Sequence, residues 1–218
     1  MALRWVLFDL NGTLLDPSGV GAPAELGAQE SLACLDEAVL LAMAETLTGG
    51  YRPFDGFLRA AIARRAQLAG DPTGVDAAME LAAEMPPYPD AGRAVDRLRE
   101  AGLEVGVLTN SATGAAERSL GAAGLRDRMA LVSGSDQVRA YKPHPDVYRH
   151  GAERTGVPPD EICMVAAHGW DLLGAGRAGM RTAWVARKER ALPETHPEPD
   201  VRGATLEEAA EGIAAGGS

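Results

Sequence analysis

"VLFDLNGTLLDP", residues 6–17, is the stretch on which the reading of this chain turns. A short apolar run breaks off at a single carboxylate, Asp9. An amide, Asn11, stands two positions further on, with Gly12 and Thr13 in a tight turn behind it. An apolar run of this length, closed by turn residues, reads as a buried strand that delivers Asp9 to its carboxyl end. The first strand is expected over Trp5–Phe8, and runs of the same kind occur at Val105–Leu108, Met129–Val132, Ile162–Val165 and Thr182–Val185. Between them lie "DAGRAVDRLREAG" (90–102), "TGAAERSLGAAG" (113–124) and "HPDVYRHGAERTG" (144–156), each of helical period and closing on a glycine suited to a helix C-terminus. Such alternation predicts an α/β fold with a Rossmann-like, doubly wound parallel sheet.

Residues 17–85 break that rhythm. "SLACLDEAVLLAMAETL", "FDGFLRAAIARRAQLA" and "VDAAMELAAEM" are helical patterns with no convincing strand among them, and the Pro-rich "MPPYPDAG" (85–92) marks the return. We therefore expect a helical cap over 17–85 inserted after the first strand, with the core built from 1–16 and 86–218. After Leu192 a surface loop with one short strand near Val201 should lead into a last helix, "TLEEAAEGIAA", with Thr205 as its N-cap.

At 218 residues and 46% hydrophobic the chain can bury one sizeable core with a smaller insertion. A formal charge of −10 with no Lys/Arg cluster argues against nucleic acid or another polyanion as partner. Cys34 and Cys163 lack metal-ligand spacing, so two reduced, buried thiols are expected and no zinc site. The N-terminus runs into charge and a turn after a few apolar residues, so no membrane association and a cytoplasmic location are expected. The alanine-rich cap helices offer a face for a homodimer.

In open parallel sheets the ligand crevice lies beyond the carboxyl ends of the strands. Asp9 and Thr13 follow the first predicted strand, Thr109 and Asn110 end the second, Lys142 follows the third and Asp171 the fourth. Any one of these has an ordinary explanation as turn former or solvated surface. Their convergence on one edge of the sheet does not.

With these residues in view the sequence resembles the haloacid dehalogenase superfamily. "FDLNGTLLD", "VLTNS", "KPHPDVY" and "VAAHGWDLLGAGRAGMRTAW" match its four motifs in order and cover essentially the whole core. The resemblance implies that Asp9 is a nucleophile forming a covalent intermediate, that Thr109 and Asn110 hold the substrate, and that Lys142 offsets the crowded negative charge. Most members are magnesium-dependent phosphotransferases, in which an acid two positions after the nucleophile protonates the leaving alkoxide and an acid in the fourth motif completes the metal site. This chain has Asn11 and Ala167 at those places. An amide supplies no proton at neutral pH, and Mg²⁺ demands oxygen ligands that are mostly carboxylates. Halide leaves without a proton. The departures match the L-2-haloacid dehalogenase branch, which also pairs Trp with Asp in the fourth motif, here Trp170 and Asp171, and places a tyrosine six residues after the lysine, here Tyr148.

Two positions depart from that branch. Its early cap arginine, which binds the substrate carboxylate or the departing halide, has no counterpart in "ESLACLDEAVLLAMAE" (30–45), which leaves Arg52 and Arg59 as candidates, beside Tyr51, Phe54 and Phe57. His168 stands where the branch has Asn. It either bonds Asp171 or Lys142 or activates the water that hydrolyses the Asp9 ester. The expectation is a metal-independent hydrolase without a cofactor, acting on a small 2-haloacid. Asp9, Thr13, Lys142, His168 and Asp171 form its catalytic set, and Asn11, Arg52, Thr109, Asn110, Tyr148 and Trp170 its substrate-binding set. Trp170 has core filling as an equal alternative. A phosphatase with degenerate motifs and an inactive binding protein of the same fold are the rival readings.

Overall fold

The computed structural model describes residues 2–70 and 72–216. Six parallel strands, β1 (Trp5–Phe8), β2 (Glu104–Thr109), β3 (Leu131–Gly134), β4 (Ile162–Ala166), β5 (Arg181–Val185) and β6 (Val201–Gly203), form one sheet in the order β3-β2-β1-β4-β5-β6. The first strand is central, with Phe8 paired to Val107 of β2 on one side and Val165 of β4 on the other.

Successive side chains of a strand point to opposite faces, and the core divides accordingly. Val6, Phe8, Val105, Val107, Cys163 and Val165 face one layer, packed under α4 (Ala91–Glu100), α5 (Thr113–Ala122) and α8 (Leu206–Gly216). Leu7, Leu108, Ile162, Met164 and Ala166 face the other, under α6 (Pro145–Thr155) and α7 (Gly169–Arg177). Each fully buried aliphatic residue contributes about 1.5–3 kcal/mol relative to exposure, before the entropy of ordering it is subtracted. Burial pushes the thiol of Cys34 up to about 11 and that of Cys163 up to about 12, so neither is a thiolate at neutral pH.

The third strand starts at Leu131, two residues later than its hydrophobic run suggests. A turn over Arg126–Arg128 holds Met129 back, and ladder pairing begins only where the Ala130 N–H donates to the Val105 carbonyl. Thr205 caps the last helix through its Oγ1, which accepts from the Glu208 N–H.

Between β1 and α4 the described residues form helices and turns only: α1 (Ala28–Leu47), α2 (Phe54–Ala69) and α3 (Val75–Ala83). The chain leaves and re-enters the core through adjacent segments, with Asp16 N–H donating to the Pro86 carbonyl and Tyr88 N–H to the Leu14 carbonyl. Cys34, Leu35, Ala38 and Ala42 of α1 meet Leu58, Ala61, Ile62 and Ala66 of α2, and small residues on both faces let the helices approach closely. Among the described residues no helix is long and apolar enough to cross a membrane.

Candidate active site

At the carboxyl edge of the sheet the predicted residues meet. The Asp9 carboxylate, 5% exposed, accepts from Lys142 Nζ at Oδ1 (3.0 Å) and from Thr13 Oγ1 at Oδ2 (2.9 Å). Thr13 can reach back because Gly12 turns at φ +85, and its hydroxyl in turn accepts from the Ala167 N–H at the end of β4. Lys142 also donates to Asp171 Oδ2 at 2.6 Å, so one fully enclosed ammonium bridges two carboxylates. Burial opposes the charge on Lys142, but Asp171 and Asp9 outweigh it and hold its pKa above the ordinary lysine value. Burial likewise raises Asp171, with the Asp9 charge adding to the effect and Lys142 opposing it.

Asn110 is held by its Oδ1, which accepts from the Lys142 backbone N–H at 2.8 Å. That contact fixes the amide, leaving Nδ2 buried without a partner at a small cleft around Asp9. A buried orphan donor is costly unless a ligand takes it up. The cleft is lined by Asp9, Asn11, Thr109, Asn110, His168 and Trp170 from the core and by Leu35, Val39 and Phe54 from the cap. Asn11 turns its Nδ2 to Ser111 Oγ (3.2 Å), and Thr109 Oγ1 accepts from the Ser111 N–H. A larger, mostly apolar cleft between α2, α3 and α5 shares Asn11 and Phe54 with the small one.

Three expectations need correction. Arg52, expected among the substrate-binding residues, points its guanidinium away: the side chain is 76% exposed and pairs with Glu45 at 3.3 Å, because the connector before α2 presents its backbone carbonyl, not its side chain, to Tyr141. Arg59 pairs with Asp76 at the surface. Tyr148, also expected to bind substrate, is fully buried behind Asp171, donating to its Oδ1 at 2.7 Å. A Cβ at Gly174 would stand 2.5 Å from the phenol oxygen, so glycine there is what admits the ring. Burial and the Asp171 charge raise the Tyr148 pKa well above normal, so it remains a donor. Tyr148→Phe should therefore loosen Asp171 rather than empty the cleft: a loss of about 1.5–3 kcal/mol in denaturant unfolding with KM nearly unchanged is expected. A large KM increase would instead return Tyr148 to the substrate-binding set.

His168 bonds neither Asp171 nor Lys142. Its Nε2 lies 3.2 Å from the Asn11 carbonyl and 3.8 Å from Asp9 Oδ2, and its ring stacks on Trp170 at 5.4 Å between centroids. Its Nδ1 faces Glu189 Oε1 at 3.8 Å. Glu189 escaped the sequence reading entirely. It lies in the charged loop after β5, where neighbouring Arg187 holds Asp90 at the cap's return and Lys188 pairs with Asp36 on α1. "ARKER" reads as solvated surface, and nothing in its pattern points to the site.

A carboxylate at the end of a central parallel strand, braced by a hydroxyl and a lysine under a helical cap, is an arrangement suited to a hydrolase working through an aspartyl intermediate. The model of the haloacid dehalogenase-like hydrolases matches residues 3–179, and the chain belongs to that family. It is 33% identical over 195 residues to (S)-2-haloacid dehalogenase 4A of Burkholderia cepacia, covering 86% of this chain and 84% of the relative. The crystal structure of an L-2-haloacid dehalogenase superposes with a TM-score of 0.91 at 27% identity, covering 98% of this chain and 99% of that one. That of the L-2-haloacid dehalogenase of Xanthobacter autotrophicus with chloropropionic acid covalently bound superposes with a TM-score of 0.86 at 25% identity, covering 96% and 97%.

The site does not fit magnesium. Among the described residues no group of carboxylates, histidines and cysteines is arranged to hold a metal ion, and residue 167 offers a backbone N–H to Thr13 where the sequence comparison calls for a carboxylate.

Proposed function

We propose that the chain is a metal-independent dehalogenase of short 2-haloacids. An Asp9 carboxylate oxygen attacks C2 from the side opposite the halogen; the C–O bond forms as the carbon–halogen bond breaks, and its electron pair leaves with the halide. Water then adds to Cγ of the ester, returning the Asp9 carboxylate and a 2-hydroxyacid and releasing one proton to solvent. Lys142 and Thr13 hold and aim the carboxylate, since each Asp9 oxygen has one donor and retains a lone pair for attack. The orphan Nδ2 of Asn110 is placed to take up the substrate or the halide.

The observation that carries this reading is the Lys142 bridge together with the Asn11 amide. The Asn11 amide leaves no proton donor ready for an alkoxide, and the Lys142 ammonium balances the charge of Asp9 and Asp171. The names of the relatives support the same handedness, so (S)-2-chloropropanoate should yield halide and (R)-lactate by inversion, and EDTA should leave the rate unchanged. Halide release from each enantiomer with EDTA present, beside phosphate release from p-nitrophenyl phosphate with Mg²⁺, checks this. Magnesium-dependent phosphate release without halide release would overturn it in favour of the phosphatase.

A further inference from the structure

The cleft has a charge problem. Asp9 and Asp171 against Lys142 leave one net negative charge behind the nucleophile, and a 2-haloacid brings another. Lys142 is enclosed and engaged by both carboxylates, and it does not line the cleft. Arg52 and Arg59 end elsewhere, and α1 contributes apolar Leu35 and Val39. Of the described side chains in the cleft wall, only His168 can carry positive charge.

Its surroundings favour that form. The Asn11 carbonyl can only accept, so Nε2 carries a proton. Nδ1 looks onto the Glu189 carboxylate, whose other oxygen is pinned by the Gly169 N–H at 2.9 Å, and Trp170 fixes the plane of the ring. Gly12 is hemmed in by the same imidazole, since a Cβ there would stand 2.8 Å from Nε2. With protons on both nitrogens, His168 has no lone pair for water.

We propose that Glu189 is a positioning residue that holds His168 as an imidazolium, and that this cation is what lets the cleft of this chain receive an anionic substrate without a cap arginine. The proposal rests on the dehalogenase reading for the identity of that anion. Burial works against the charge on His168, but Glu189, Asp9 and the Asn11 carbonyl outweigh it and lift its pKa above the ordinary value. Burial also works against Glu189, yet His168 and the Gly169 N–H hold its carboxyl below the usual range. The other charged or titratable groups nearby are Lys142 and Asp171 behind Asp9, His196 beside Gly169 and Glu189, and the Lys188–Asp36 pair joining the loop to the cap. Glu189 lies on the far edge of the ring with its side chain 30% exposed, so solvent screens its charge from the cleft more than that of the imidazolium.

The sign of the pH dependence follows. A histidine whose folded pKa is raised carries its charge at low pH and loses it as pH rises through that value. The structure therefore expects kcat/KM for (S)-2-chloropropanoate to fall on the alkaline side, whereas a general base would make it fall on the acid side. The test is paired. The His168 imidazole is titrated by ¹⁵N NMR in the intact protein, assigned by its absence in His168→Asn, with and without propanoate as an unreactive anion; kcat/KM is measured over the same pH range. In the parent protein His168 should titrate above the ordinary ~6.5 and move higher with propanoate. In Glu189→Gln both the titration and the alkaline limb should shift down together by about one unit, a tenfold change in protonation, and Glu189→Asp should restore part of the shift. A titration that Glu189→Gln or propanoate leaves unmoved would overturn the proposal, as would a rate that falls toward acid in step with the His168 titration. If the NMR couplings hold and no 2-haloacid releases halide, the dehalogenase reading fails while the charge pair stands.

Discussion

Asp9→Asn should leave a folded protein that releases halide at least about 10⁴-fold more slowly than the parent, because a neutral amide oxygen cannot open the first step and nothing else in the cleft replaces it. The substitution keeps the volume and one hydrogen-bonding oxygen. Lys142 retains Asp171 at 2.6 Å, so the ammonium is not stranded and the fold should survive with a loss of about 1–3 kcal/mol. Halide release, intact-protein mass after mixing with substrate, and a thermal melt together check this. Activity within tenfold of the parent, or an ester mass on the variant, would remove Asp9 from the nucleophile's role.

Lys142→Ala should do nearly as much damage to the rate and far more to the fold. Two carboxylates that share one ammonium, at 3.0 and 2.6 Å, would face each other unpaired in a site closed to solvent. Breaking a buried pair from one side costs about 3–5 kcal/mol. Loss of the cation behind the nucleophile should lower kcat by about 10²–10³-fold. The pH dependence distinguishes this from ordinary loss of packing. Asp171 is already raised by burial and by Asp9 with Lys142 opposing, so without the lysine its folded pKa rises further above its unfolded value. A raised carboxyl binds its proton more tightly in the folded state, and the stability it contributes is present at low pH and lost as pH rises. The variant's stability deficit relative to the parent should therefore shrink as pH falls and widen as pH rises. An equal deficit at every pH would mean that the ammonium is replaceable by volume, and Lys142→Met then becomes the deciding comparison.

How much of this was legible beforehand depended on whether position along the chain determines direction in space. Asp9 lies at a strand end, and Thr13, Lys142 and Asp171 lie in segments that leave the carboxyl ends of strands, so the topology of a parallel sheet directs them to one edge, and the sheet was readable from its apolar runs. Tyr148 was placed on the correct helix but assigned the wrong side of Asp171, since its depth depends on a missing Cβ at Gly174, an effect of packing between α6 and α7. Arg52 failed for the opposite reason: it stands in a connector, where no period dictates which way a side chain points. His168 was noticed, yet its partner was not, because Glu189 comes from a loop whose composition reads as solvent-facing.

The central place of β1 has a consequence for the birth of the enzyme. Asp9 is made before the strands that flank it: its own strand pairs with β2 and β4, and the N–H that orients Thr13 belongs to Ala167. At about 5–20 residues per second the growing chain therefore waits roughly 8–30 s between making Asp9 and making the backbone group at Ala167 that orients its partner Thr13. A chain stalled before residue 167 lacks the backbone group that orients Thr13, so this edge of the sheet is completed only after β4 has been made.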